Sequence, residues 1–124
     1  MQIDHVNIVV SDMDRSVHFY TEVLGFEETR RAMLEGDWIE AIVGLKGVKA
    51  DVVYVQPPHG GPRIELIQYQ APLGATLPEC ALPNTTGLRH IAFRVDDMTA
   101  AVARLNEAGV ECIGPPVSVP KGVV

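Results

Sequence analysis

From Ile3 to Val10 the hydrophobic and polar positions alternate, with Val6, Ile8 and Val10 on one side of the chain and His5, Asn7 and Val9 on the other. This period of two predicts a strand with an apolar back. The period changes at SDMDRS. Ser11 or Asp12 supplies an N-cap, and Met13, Val17, Tyr20 and Leu24 recur at helical spacing until Gly25 ends the run. Further strand-like runs follow: FEETRRAML, turned by Glu35, Gly36 and Asp37; WIEAIVG, turned near Lys46 and Gly47; and KADVVYVQ. PPHGGP interrupts the pattern, and RIELIQY resumes it. Pro72, Gly74, Pro78 and Pro83 then punctuate a stretch that no regular element tolerates, so residues 71–86 are expected to connect two modules.

After the connector the opening pattern returns. With His5 aligned on His90, positions 5–22 match 90–107 identically at six of eighteen places, and one deletion brings Gly25 onto Gly109. The parity of the strand also agrees, because Ile91, Phe93 and Val95 share one face while His90, Ala92 and Arg94 share the other. A strand and a capped helix, written twice, indicate a supersecondary duplication, and duplicated sheets tend to combine about a pseudo-twofold axis. Each helix must cover the apolar face of its strand. The histidine face is then turned away from the helix, and the duplication aims His5 and His90 at one concave surface.

Composition narrows the function classes. A chain of 124 residues is one small domain that buries roughly two-thirds of its unfolded surface. Ten basic against sixteen acidic residues give a net charge of −6, which argues against nucleic acid as a main partner. No apolar run approaches the ~20 residues of a membrane span, and no secretory signal opens the chain, so a cytoplasmic location without membrane attachment is expected. Cys80 and Cys112 lack the spacing of a zinc knuckle or redox pair and read as two unpaired thiols.

Glu65, flanked by Ile64, Leu66 and Ile67, is the third polar residue of interest. A carboxylate in so apolar a strand is costly to bury unless it is paired or bound to a cation. Two imidazoles and a carboxylate on one concave surface make a divalent-metal site with open positions, suited to Zn, Ni, Co, Mn or Fe(II). The competing reading is a pairing of Glu65 with Arg63 or Arg94 and hydrogen-bonded histidines without a metal. His18 reads as a surface residue and His59 as a turn residue. Asn7, Trp38, Tyr54, Tyr69 and Arg94 are candidates for substrate contact, with Trp38, Glu40 and Ile42 sharing one face if WIEAIVG is a strand. No GxSxG, P-loop or Rossmann glycine pattern is present.

DHVNIVVSDMDRSVHFYTEVLGF, RIELIQY and GLRHIAFRVDDM resemble the signature segments of the vicinal oxygen chelate superfamily, also called the glyoxalase/bleomycin resistance protein/dioxygenase fold. The resemblance runs from residue 3 to about residue 114. It implies an α+β fold in which paired βαβββ modules form a cup-shaped sheet, usually in a homodimer, with a divalent metal at its base. In this chain that means a single domain with module one at 1–70, the connector at 71–86, and a second module at 87–124 that is incomplete and leaves the cup half open. It implies metal ligands at His5, Glu65 and His90. A Glu at this position resembles glyoxalase I-like lyases, where methylmalonyl-CoA epimerase-like enzymes carry a Gln. The implied activity is metal-dependent proton transfer next to a carbonyl through a metal-bound enediolate, a lyase or isomerase reaction on a small-molecule substrate with Glu65, or its counterpart in the second module, as base. Two alternatives stay open: a metal-free ligand-sequestering protein of the bleomycin-resistance type, and an Fe(II) extradiol-type dioxygenase. The repeat also leads us to expect a chain continuing past Val124 by roughly 10 to 30 residues, with a Glu-bearing strand equivalent to RIELIQY.

Overall fold

The computed structural model describes residues 1–75 and 84–118. Cys80 and part of the connector lie outside the described residues. The chain divides into two units, Met1–Arg89 and His90–Val124.

In the first unit the elements run β1 (His5–Val9), α1 (Met13–His18), a π-helical turn (Phe19–Val23), β2 (Glu27–Glu35), α2 (Asp37–Val43), β3 (Lys49–Gln56) and β4 (Arg63–Ala71). The strands form one open sheet in the order β1-β4-β3-β2, with β1 parallel to β4 and the other pairs antiparallel. Register sorts the side chains into rows. Ile8, Leu66 and Val53 lie side by side, as do Val6, Ile64 and Val55. Leu66, Val53 and Val55 are fully buried, and α1 lies against β4 and β3. Burial of each such side chain contributes about 1.5–3 kcal/mol, so this layer fixes the register of the sheet. A one-residue slip would carry Leu66 to the opposite face.

Rows on the opposite face alternate with these. Val9, Ile67, Val52 and Ala32 form an apolar row, and Ala50, Val52 and Ile67 are buried in a cluster flanked by Ala32, Leu34, Tyr54 and Tyr69. Next to it runs a polar row of Asn7, Glu65, Tyr54 and Arg30. His5, one pleat from Asn7, shares this face.

WIEAIVG is not a strand. Asp37–Val43 is helical, between Gly36 at φ 92° and the left-handed Gly44 at φ 70°. The alternation of Trp38, Glu40 and Ile42 is real, but Ile39 and Val43 are also spaced by four. The buried Ile39 shows which spacing wins, while Trp38 and Ile42 remain exposed. A short apolar run fits both periods, and here the left-handed Gly44 closes it as a helix, its N–H donating to the Glu40 carbonyl.

The second unit contains α3 (Met98–Glu107). Residues 91–95, expected as a strand, carry no ladder. The capping half of the repeat is preserved in detail. Asp12 accepts a hydrogen bond from the Arg15 N–H and Asp97 one from the Ala100 N–H, both at 3.0 Å, and Gly25 and Gly109 both stand at φ 73°. At the second glycine the Gly109 N–H donates to the Asn106 carbonyl and the Val110 N–H to that of Leu105, closing the helix in a Schellman motif. The first copy holds one residue more between its aspartate and its glycine. That residue is absorbed in the π-helical turn, where the Leu24 N–H reaches back five positions to the Phe19 carbonyl. The single deletion needed to align the repeats therefore has a physical location.

Candidate functional site

Glu65 is held at both carboxylate oxygens. Oε1 accepts a hydrogen bond from the Tyr54 hydroxyl, and Oε2 accepts one of 2.7 Å from the Asn7 amide. The sheet dictates these partners, since Asn7 and Tyr54 are the direct register neighbours of Glu65 on β1 and β3. The side chain is 16% exposed, low for a carboxylate, and its two donors offset the cost of that burial. Burial, and next the hydrogen bond to Glu65, push the Tyr54 phenol up to about 12. At neutral pH Tyr54 is therefore a donor.

The His5 ring meets Tyr54 edge to face, with centroids 5.6 Å apart and planes at 89°. Its Nε2 lies 3.6 Å from Glu65 Oε2, and its Nδ1 lies 2.8 Å from Asp4 Oδ2. Asp4 also accepts from Arg63, whose guanidinium sits over the Tyr54 ring at 4.7 Å. The hydrogen bond from His5, and next that from Arg63, hold the Asp4 carboxyl below its ordinary value. Arg63 is thus partnered by Asp4. The Arg63–Glu65 pair of the competing reading does not form, and Glu65 is held by Tyr54 and Asn7 beside His5.

Asp4, as an ionised carboxylate, can only accept from His5 Nδ1. Nε2 stands 3.6 Å from Glu65 Oε2, too long for a direct hydrogen bond. Imidazole with carboxylate is a donor set for borderline divalent metals, and two such groups side by side can share a cation. Among the described residues no group of three or more His, Cys, Asp or Glu side chains is placed to hold a metal ion. The first unit brings together His5 and Glu65. His90 and Arg94 belong to the second unit, both exposed and outside any regular element. Tyr69 packs on the apolar cluster, and Trp38 projects from α2 with 55% exposure.

The Asp4–His5 bond is not legible in the strand pattern. In a regular strand adjacent side chains point to opposite faces, which would separate the two. Asp4 precedes the first residue of β1, and its backbone carbonyl accepts from the Arg63 N–H, so it is anchored to the sheet without obeying the alternation. The DH dipeptide was the available signal.

Residues 2–123 match the family described as the Glyoxalase/Bleomycin resistance protein/Dioxygenase superfamily. The chain is 34% identical over 113 residues to the uncharacterised protein YaeR of Escherichia coli (strain K12), covering 90% of this chain and 74% of that protein. It is 28% identical over 127 residues to a 2-epi-5-epi-valiolone epimerase of an Actinomyces species, covering 98% and 67%. A crystal structure of a glyoxalase family protein from Bacillus cereus superposes with a TM-score of 0.89 at 30% identity, over 97% of this chain and 80% of that one. No helix among the described residues is long and apolar enough to cross a membrane. With the duplicated capped helix, the β1-β4-β3-β2 sheet and nearly the whole length matched, the chain belongs to the glyoxalase/bleomycin resistance protein/dioxygenase superfamily.

Proposed function

We propose that this protein is a metal-dependent lyase or isomerase that moves a proton next to a carbonyl in a small-molecule substrate, with Glu65 as the base and His5, Glu65 and His90 as metal ligands. The observation that carries the reading is the Glu65 carboxylate, fixed between Tyr54 and Asn7 with His5 Nε2 3.6 Å from it. A divalent metal held there would supply Lewis-acid stabilisation of negative charge on the substrate oxygen. The remaining work falls to the chain. Asn7 and Tyr54 orient the carboxylate so that a lone pair is presented in a fixed direction, and a well-placed base contributes about 10²–10⁴-fold. Tyr54, its phenol pushed up to about 12, is protonated at neutral pH, and its hydroxyl donates to Glu65 Oε1. Glu65 takes the α-proton and returns it. Similarity to an epimerase supports this class of chemistry.

The test is exchange of an α-proton in D₂O, using 2-oxoaldehyde hemithioacetals and 2-substituted acyl thioesters with Zn(II)-, Ni(II)- or Co(II)-loaded protein. Exchange or turnover of at least one is expected. Fe(II)-dependent oxygen uptake with catechols would replace the proposal by the dioxygenase reading, and tight binding without exchange by sequestration.

A further inference from the structure

The side chains around His5 do more than line the site. Asp4 Oδ2 accepts from His5 Nδ1 and from Arg63, Arg63 lies over the Tyr54 ring, and the His5 ring stands edge-on to the same Tyr54. Each member of this closed set is also tied to the sheet. His5 and Arg63 are register partners on β1 and β4, and the Asp4 carbonyl takes the Arg63 N–H at 3.1 Å. A freely rotating imidazole could turn either nitrogen toward Glu65 and carry its proton on either. Here one face of the choice is removed.

We infer that Asp4 and Arg63 are positioning residues: Asp4 fixes the proton of His5 on Nδ1, Arg63 fixes Asp4, and Nε2 is thereby left as the bare nitrogen aimed at Glu65. Neither residue touches the reacting atoms. A carboxylate behind a ligand imidazole sets its orientation and basicity, and loss of such a partner typically costs 10–100-fold in metal affinity. The pair is not interchangeable with Lys or Glu. The planar guanidinium bonds Asp4 while standing over the Tyr54 ring, a double role that an ammonium does not reproduce.

The consequence for metal binding rests on the function proposed above, but the tautomer does not, so the experiment reads the tautomer first. Metal-free protein carrying ¹⁵N-labelled histidine is examined by long-range ¹H–¹⁵N correlation at a pH where imidazole is neutral. Of the four histidines, His5 is assigned by its absence in His5→Ala. The parent is expected to hold His5 as the Nδ1–H tautomer. Asp4→Ala should release it to Nε2–H, and Asp4→Asn, whose amide oxygen still accepts, should restore Nδ1–H. Arg63→Lys should give a mixture. Zn(II) affinity, by competition with a chromophoric chelator, should fall about 10–100-fold in Asp4→Ala and much less in Asp4→Asn. An Nε2–H tautomer in the parent, or Nδ1–H unchanged in Asp4→Ala, overturns the inference, and the first of these needs no variant to fold. If the tautomers behave as expected and no substrate exchanges a proton, the functional proposal fails and the positioning role stands.

Discussion

Asp12 and Asp97 cap their helices with the same bond at the same length, and the two helices end at glycines with the same φ. Beyond that the two units diverge. The strand before α1 pairs with β4 along its whole length, and Met13, at the start of α1, is buried. The segment before α3 pairs with nothing that makes a ladder among the described residues, and no residue of α3 is buried. The difference teaches which half of the repeated message is local. A cap, a helical period and a left-handed glycine act within about a dozen residues, so they yield a helix in both units. A parallel strand needs a partner delivered by a distant crossover, here β4, more than fifty residues after β1.

The sharpest break between the two units should appear in catalysis. Glu65→Gln should lower α-proton exchange about 10²–10⁴-fold, whereas Glu111→Gln, in the second unit, should leave it within twofold. Equal losses would mean that the carboxylate held by Tyr54 and Asn7 is not the base. Next comes stability, read by urea unfolding. Leu66→Ala, under α1, should cost about 2–5 kcal/mol, and Leu105→Ala, on the half-buried side of α3, under about 1 kcal/mol. A larger cost at Leu105 would show that α3 carries a core that its exposure conceals.

Removing the caps tests whether the shared local code is worth the same in each setting. Asp12→Ala and Asp97→Ala should each weaken their helix by about 0.5–2 kcal/mol. For Asp12 the loss should move the global unfolding midpoint, because α1 lies on the sheet. For Asp97 it should appear as faster amide exchange confined to α3. The smallest effect concerns Tyr54. Its folded-state phenol ionises at about 12, against about 10 in an unfolded chain. The stabilisation it brings is complete below pH 10 and is lost as pH rises through 12. Unfolding free energy of the parent should therefore drop over that window, and Tyr54→Phe should flatten the drop. A phenol ultraviolet titration with the same high-pH step in Tyr54→Phe as in the parent would reassign the group.

β1, the helix from Met13, β2, β3, β4 and both caps are legible in the sequence, because each combines a clear period with turn or capping residues at its ends. Asp37–Val43 is not, because its seven residues satisfy two periods at once, and the strand pattern at 91–95 forms no ladder among the described residues. In the site His5 and Glu65 are legible, since an apolar-flanked carboxylate and a repeated histidine are visible without a fold. Asn7 and Tyr54 read only as residues near a substrate. Register makes them the two donors that hold Glu65.

What the letters alone determined is therefore the short-range part: where α1 and α3 are capped and where their glycines stop them, which face of each strand of the sheet is apolar, and that the chain repeats a cap–helix–glycine unit with one residue of difference. Tertiary structure decided where that residue goes, which strands pair, and that Asp4 reaches His5 while Arg63 reaches Asp4. Those contacts depend on register between segments some sixty residues apart. Register is chosen by burial of Leu66, Val53 and Val55 on the other side of the sheet, a collective free energy that no local pattern around the site contains.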